Sequence, residues 1–191
     1  MIEKLKKYGF FRYGQIIPGL TIYGQPAPYP VLNERAIRAG AGIMFALGIF
    51  AFFQAFYLRD FLYIKIVVVI FFFDFLMKVV VGTKFSPITR LSDLVVRKQQ
   101  PEYVGAIQKR FAWGIGLMLS GVMLLLLFVF GVQGLPNMII CGICLAFMFM
   151  ETAFGICVGC KIYSALLAKG ILKQQEHKPA CAGNVCAITV D

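Results

Sequence analysis

The stretch FAWGIGLMLSGVMLLLLFVFGVQGLPNMIICGICLAFMFM, Phe111–Met150, runs for forty residues without a charge. As one straight helix it would extend about 60 Å, roughly twice the hydrocarbon core of a bilayer. It must therefore cross, turn and cross back. The turn chemistry lies at Gly131-Val132-Gln133-Gly134-Leu135-Pro136-Asn137, where Gly and Pro interrupt helical order. Two crossings are predicted, at about 111–132 and 137–160.

The same logic gives two more upstream. Ala39–Leu58 is uncharged and flanked by Arg38 and Arg59, and Phe61–Gly82 is interrupted only by Lys65, Asp74 and Lys78. Crossings are predicted at about 40–58 and 61–82, each near the twenty residues a bilayer requires. The expected class is an all-α membrane protein, four transmembrane helices in an antiparallel bundle. Composition agrees, with 60% apolar residues, 15% charged residues and a mean hydropathy of +0.80. A soluble domain carries roughly 25% charged residues, so these charges could not cover a water-exposed surface. Intrinsic disorder is excluded by the same hydrophobicity. The chain divides into an amino-terminal extension (1–30), a four-helix domain (31–165, with a loop at 83–110) and a tail (166–191).

Nineteen basic residues against nine acidic ones leave a net charge of +10. The basic residues cluster in 1–38, 84–110 and 161–178, between the apolar runs. That is the signature of loops facing an anionic cytoplasmic leaflet, so both termini are expected in the cytoplasm. No single basic face is drawn, and a nucleic-acid partner is not expected. Pro18, Pro26, Pro28 and Pro30 break residues 1–30, which lack the continuous apolar core of a signal peptide. Met1–Phe11 could form a short amphipathic piece, and Gln25–Pro30 an extended linker. Asn33 is the expected cap of the first helix, with Glu34 favourable at its positive end. Ser86-Pro87 opens an expected interfacial helix at about 88–99, with Leu91, Leu94 and Val95 at helical spacing. Gly40-Ala41-Gly42 suits close helix packing. The two hairpins share hydrophobicity but no motif, so no internal repeat is expected.

Asp74 and Glu151 are predicted at similar depth, about 20 Å from the outer boundary. An unpaired carboxylate there costs several kcal/mol. Lys78 lies four residues after Asp74 on the same helical face. Glu151 has no partner in its own helix, so Arg35, Arg38 or Lys109 would have to reach it from a loop. Asp74, Lys78 and Glu151 are the expected intramembrane polar site, either a ligand or proton path or a structural knot.

Six cysteines occur. Cys157-Val158-Gly159-Cys160, at the cytoplasmic end of the last crossing, is a dithiol that could carry electrons, disulfides, a persulfide or a metal. Cys157 and Cys160 are the candidate catalytic residues. In a straight helix two objections stand: the carboxyl end of a helix dipole disfavours thiolates, and the wheel angle keeps both sulfurs away from Glu151. A break near Gly155 or Gly159 could re-aim the dipole, and unwinding near Gly155 could bring the two sites together. Cys141 and Cys144 read as packing residues. In the tail, His177, Cys181 and Cys186 could form a thiol relay to the membrane pair, or complete a zinc or iron–sulfur site. A quinone is a candidate membrane acceptor for the electrons.

Five motifs together carry a family resemblance: Asn33-Glu34-Arg35-Ala36-Ile37-Arg38-Ala39-Gly40-Ala41-Gly42, Asp74-Phe75, Lys84-Phe85-Ser86-Pro87-Ile88, Lys109-Arg110-Phe111-Ala112 and Cys157-Val158-Gly159-Cys160-Lys161-Ile162-Tyr163. Over about residues 31–165 the chain resembles the bacterial integral-membrane family catalogued as domain of unknown function 4395. The resemblance implies a four-helix protein of the bacterial cytoplasmic (inner) membrane and, by association, a thioredoxin-like or sulfurtransferase partner. It implies no activity. Three functions follow in order of expectation. The first is thiol redox or sulfur and persulfide handling at the CxxC pair. The second is an accessory or structural subunit of a larger membrane complex. The third is a small transporter using Asp74 and Glu151. His177 is the single histidine and no phosphate loop occurs, which leaves other enzyme classes without a nucleophilic pair or a nucleotide cradle.

Overall fold

A computed structural model describes residues 14–22, 24–27 and 29–172. A two-residue hairpin, β1 (Thr21–Ile22) with β2 (Gln25–Pro26), leads to β3 (Val31–Asn33). The chain then forms α1 (Glu34–Tyr57) and α2 (Leu62–Leu76), which continues as a π-helical turn, Met77–Val81. After a 3-10 turn at Thr83–Phe85 come α3 (Pro87–Val96) and β4 (Tyr103–Gly105). Next is α4 (Ala106–Leu124), again continued by a π turn, Leu125–Val129. The described chain ends with α5 (Leu135–Phe154) and α6 (Val158–Ala168). Three helical segments, Glu34–Tyr57, Ala106–Val129 and Leu135–Phe154, are long and apolar enough to cross a membrane.

The fold is mostly helical rather than all-α. β3 and β4 pair antiparallel, with Val31 opposite Gly105 and Asn33 opposite Tyr103. Each strand runs directly into a long helix. Asn33 caps α1 as expected, its Oδ1 accepting from Arg35 N at 3.1 Å, and the same oxygen takes Glu102 N at 3.3 Å from across the sheet. The expected linker at 25–30 is partly strand. Gln15 exchanges two backbone hydrogen bonds of 2.9 Å with Val31, which holds the described part of the extension on the sheet. The piece Met1–Phe11 lies outside the described residues.

The expected absence of a repeat is overturned. Each half of the chain is a short strand, a helix of 24 residues, a second helix, a glycine at positive φ and a short helix. Gly82 (φ 132°) and Gly155 (φ 66°) hold equivalent places. Lys78 and Glu151 each stand four residues before that glycine. The packing is reciprocal as well: α1 packs on α3 and α5, while α4 packs on α6 and α2. Both short helices are capped by a side chain. Ser86 Oγ accepts from Thr89 N at 3.0 Å, and Cys157 Sγ accepts from Cys160 N at 3.2 Å. The halves entered the sequence reading only as unlike hairpins because the equivalent positions carry different chemistry.

Two apolar cores lie between the helices, one around Ala51, Ala55, Ile64, Val68, Met123 and Leu127, the other around Met44, Phe71, Phe75 and Ile88. The outside is equally apolar: Phe50, Phe53, Phe56, Phe73 and Phe128 are all exposed. Such a surface is stable against lipid and unstable against water. The Gly40 and Gly42 positions admit Ser92 and Thr152 at close range, as the small-residue reading requires. On α3 the buried face is Ile88, Ser92 and Val96, whereas Leu91, Leu94 and Val95 point outward.

Asp74 anchors α3 to α2. Its Oδ1 accepts Ser86 Oγ at 2.5 Å and Ile88 N at 3.4 Å, all buried. Ser86→Ala removes the donor from a buried carboxylate, which costs about 1.5–3 kcal/mol for a hydrogen bond to a charged group. The expected outcome is a lower unfolding midpoint in detergent, with Ser86→Thr retaining most of the stability. Equal midpoints for Ser86→Ala and the native chain would show that this anchor is dispensable.

Candidate functional site

The last expected crossing, 137–160, is two helices. α5 ends at Phe154 because Gly155 takes the left-handed conformation, φ 66° and ψ 18°. Gly155 N and Ile156 N donate back to Glu151 O and Met150 O at 3.1 and 3.0 Å, closing the helix end. The chain is extended at Cys157 (φ −80°, ψ 99°), and α6 starts at Val158. Cys157 is therefore an N-cap and not a C-terminal residue. The dipole objection disappears, since a helix amino end favours a thiolate. A side chain at Gly155 would overlap the Arg38 guanidinium, and one at Gly159 would overlap Ala112 of α4. The two glycines of this turn are thus fixed by handedness and by close approach. Cys157 and Cys160 are buried, with their sulfurs at disulfide-bonding distance and Cα atoms 5.2 Å apart.

Glu151 finds its partner on another helix, as its isolation in the sequence requires. Lys109 of α4 donates to Glu151 Oε1 at 2.5 Å. The same ammonium lies 2.8 Å from Glu34 Oε2, and Glu34 Oε1 receives Arg38 Nε at 3.3 Å. Glu34, read from the sequence only as a helix-dipole residue, is fully buried at 0% exposure and is a central member of the site. Strand pairing explains why. β3 and β4 set the first turns of α1 and α4 side by side, which carries Glu34 to Lys109.

Asp74 and Lys78 pair as expected, with Lys78 Nζ 2.6 Å from Asp74 Oδ2. Lys78 also stands 5.8 Å from the centroid of Phe75 and 5.7 Å from that of Trp113, within cation–π range. Asp74 and Glu151 thus belong to two separate ion clusters. Lys78, not Asp74, shares a cavity wall with Glu151.

Both clusters open on one cavity of about 410 Å³. Its walls come from both halves of the chain: Met44 of α1, Phe75 and Lys78 of α2, Lys109 and Trp113 of α4, Met148 and Glu151 of α5, and Cys157. Gln15, Tyr103, Lys84 and Asp93 also line it. Burial pushes the Asp93 carboxyl up from its ordinary range. Cys144 reaches the cavity while Cys141 joins the packing around the first core, and both thiols are free. The sequence reading missed Glu34, Tyr103 and Trp113 because their convergence depends on the sheet, for which the sequence offered no periodic signal.

Among the described residues no three His, Cys, Asp or Glu side chains converge to hold a metal. The relay and metal-site candidates His177, Cys181 and Cys186 lie outside the described residues.

Lys109→Met would leave the buried Glu34 and the part-buried Glu151 with Arg38 as the remaining cation. Breaking a buried pair costs about 3–5 kcal/mol. A marked fall in the detergent unfolding midpoint is expected, with partial recovery in Lys109→Met/Glu151→Gln. Thermal unfolding of both variants checks this, and an unchanged midpoint for the single variant would remove the cluster from the account.

No curated protein and no solved structure matches the chain. A family model, domain of unknown function 4395, matches residues 32–168 and so covers both strand-led halves and the Cys157–Cys160 turn. The chain belongs to the domain of unknown function 4395 family.

Proposed function

We propose that this chain is a four-crossing protein of the bacterial cytoplasmic membrane in which Cys157 and Cys160 interconvert dithiol and disulfide at the cytoplasmic face. The fourth crossing in this reading is α2 with its π turn, twenty residues and about 30 Å long. The strands, α3 and α6 then lie on the side rich in Lys and Arg, which is the cytoplasmic side by charge.

The observation that carries the redox reading is the position of Cys157, which caps a new helix and lines the cavity at once. In the reduced protein the amino end of α6 lowers the cost of a Cys157 thiolate. That thiolate attacks a disulfide of a partner, forming a mixed disulfide and releasing one partner thiolate. Cys160 then attacks Cys157 Sγ, closing the intramolecular disulfide and releasing the second partner thiol. Two electrons pass to the partner, and the reverse sequence oxidises a partner dithiol. A thioredoxin-like or sulfurtransferase protein has the right chemistry for either direction, and a persulfide sulfur could be handed over at the same thiol.

A second reading draws on the repeat. Two parallel halves with a cavity between them is an arrangement found in transporters. Glu151 is the better probe of that reading, since Asp74 is turned into Ser86. Substrate flux lost in Glu151→Gln, with thiol chemistry irrelevant to it, would favour transport.

Thiol labelling in intact cells and inverted vesicles, before and after reduction, tests the redox reading. Cys157 and Cys160 are expected to label only after reduction and only from the cytoplasmic side. Cys160→Ser is expected to accumulate a mixed disulfide through Cys157, and Cys157→Ser to lose it. If both cysteines stay reduced and unlabelled under every condition, the redox reading fails.

A further inference from the structure

Resting on that redox reading, we propose that the cavity beside Cys157 binds a quinone, which takes the two electrons of the dithiol. The argument begins with charge. Lys78 is neutralised by Asp74, and Lys109 with Arg38 is neutralised by Glu34 with Glu151. At the rim, Lys84 and Asp93 are of opposite sign. The walls therefore hold no surplus charge to attract an anion or a cation. A neutral ligand is what such a balance leaves room for.

The same walls are nonetheless rich in hydrogen-bond donors. An ammonium has three N–H bonds. Lys78 directs one at Asp74, and Lys109 directs two at Glu34 and Glu151. The remaining N–H groups suit carbonyl oxygens. Phe75 and Trp113 both line the cavity, each with its ring centroid within 6 Å of the Lys78 ammonium, so flat apolar walls stand beside the donors. The volume of about 410 Å³ lies at the small end of ligand sites, enough for a ring-sized headgroup. Neutral, flat, bearing carbonyl acceptors and soluble in lipid is the description of a quinone headgroup.

The electron balance is complete. Cys157 thiolate adds to a ring carbon of the quinone, forming a C–S bond. Cys160 attacks Cys157 Sγ, the S–S bond forms, the C–S bond breaks and the electron pair leaves with the ring. The reduced ring takes two protons, equal in number to those lost by the two thiols, and becomes the quinol. Glu151 and Asp93 are the carboxylates of the cavity wall available to carry them. Dithiol and quinone give disulfide and quinol, and a thiol-bearing partner re-reduces the pair.

Trp113 is the single tryptophan of the chain, so binding can be read directly. The reduced full-length protein in lipid nanodiscs is titrated with a short-chain benzoquinone while Trp113 fluorescence is followed. Saturable quenching is expected, together with one quinol formed per two thiols lost. Ala41→Phe and Ile115→Phe, which fill the cavity from two different helices, are each expected to weaken quenching at least tenfold. Cys157→Ser is expected to keep the quenching and lose the quinol, and detergent unfolding midpoints near the native value are expected to show that the filled variants still fold. Quenching that rises linearly without saturation, or that neither filled variant changes, overturns the quinone site. Failure of the underlying redox reading is separate: the pair would then be inert toward the thiol oxidant diamide, whatever the quenching.

Discussion

A single ammonium between two carboxylates organises this protein. Lys109 of α4 joins Glu34 at the start of α1 to Glu151 near the end of α5. Within a low-dielectric interior each of these charges alone would cost several kcal/mol, so the three helix segments must stay together for any of them to be buried. The geometry propagates. Glu34 also holds Arg38, and the Arg38 guanidinium occupies the space where a side chain at Gly155 would lie. That glycine ends α5 and lets the chain restart at Cys157. The ion cluster and the sulfur pair are thus connected through one arginine and one left-handed glycine.

The repeat shows how one backbone plan carries two different caps. In the first half the turn after the second helix is capped by Ser86, whose hydroxyl also ties Asp74. In the second half the equivalent cap is Cys157, and the residue three further on is Cys160 where the first half has Thr89. A capping role requires only a short side chain that accepts a hydrogen bond. Serine meets it with a hydroxyl oxygen, and cysteine meets it with a sulfur. The first turn consequently fixes a helix with oxygen, and the second reaches the same geometry with sulfur.

The long apolar helices were legible in the sequence because hydrophobicity over twenty residues is a signal integrated over many side chains. Lys78 was legible as the partner of Asp74 because helical spacing is local. Lys109 was reachable only as one of three candidates for Glu151, since the sequence does not say which loop cation returns to the bundle. The β3–β4 pairing was not legible at all: three residues carry no periodicity, and their partners lie seventy or more positions away. Glu34 was missed for that reason. Its immediate neighbours describe an ordinary helix start, and its burial arises only once the second strand is in place. The break at Gly155 was visible as an option, because glycine permits it, but the Arg38 contact that excludes any side chain there is tertiary.

On the proposed redox reading, the cap at Cys157 also bears on the direction of electron flow. The Cys160 amide aimed at Cys157 Sγ, with the aligned peptides of α6 behind it, interacts more favourably with a thiolate than with a neutral disulfide sulfur. Such an environment stabilises the reduced pair relative to the oxidised one, which raises the reduction potential and makes the disulfide a stronger oxidant. A pair poised in that sense is suited to accept electrons from a partner dithiol. Passing them on then requires an acceptor of still higher potential within reach of the sulfur. The cavity adjoins Cys157 and not Cys160, so the capping sulfur is the one an acceptor in the cavity would meet. The interaction that makes the helix start possible and the one that would set the direction of the chemistry are therefore the same hydrogen bond.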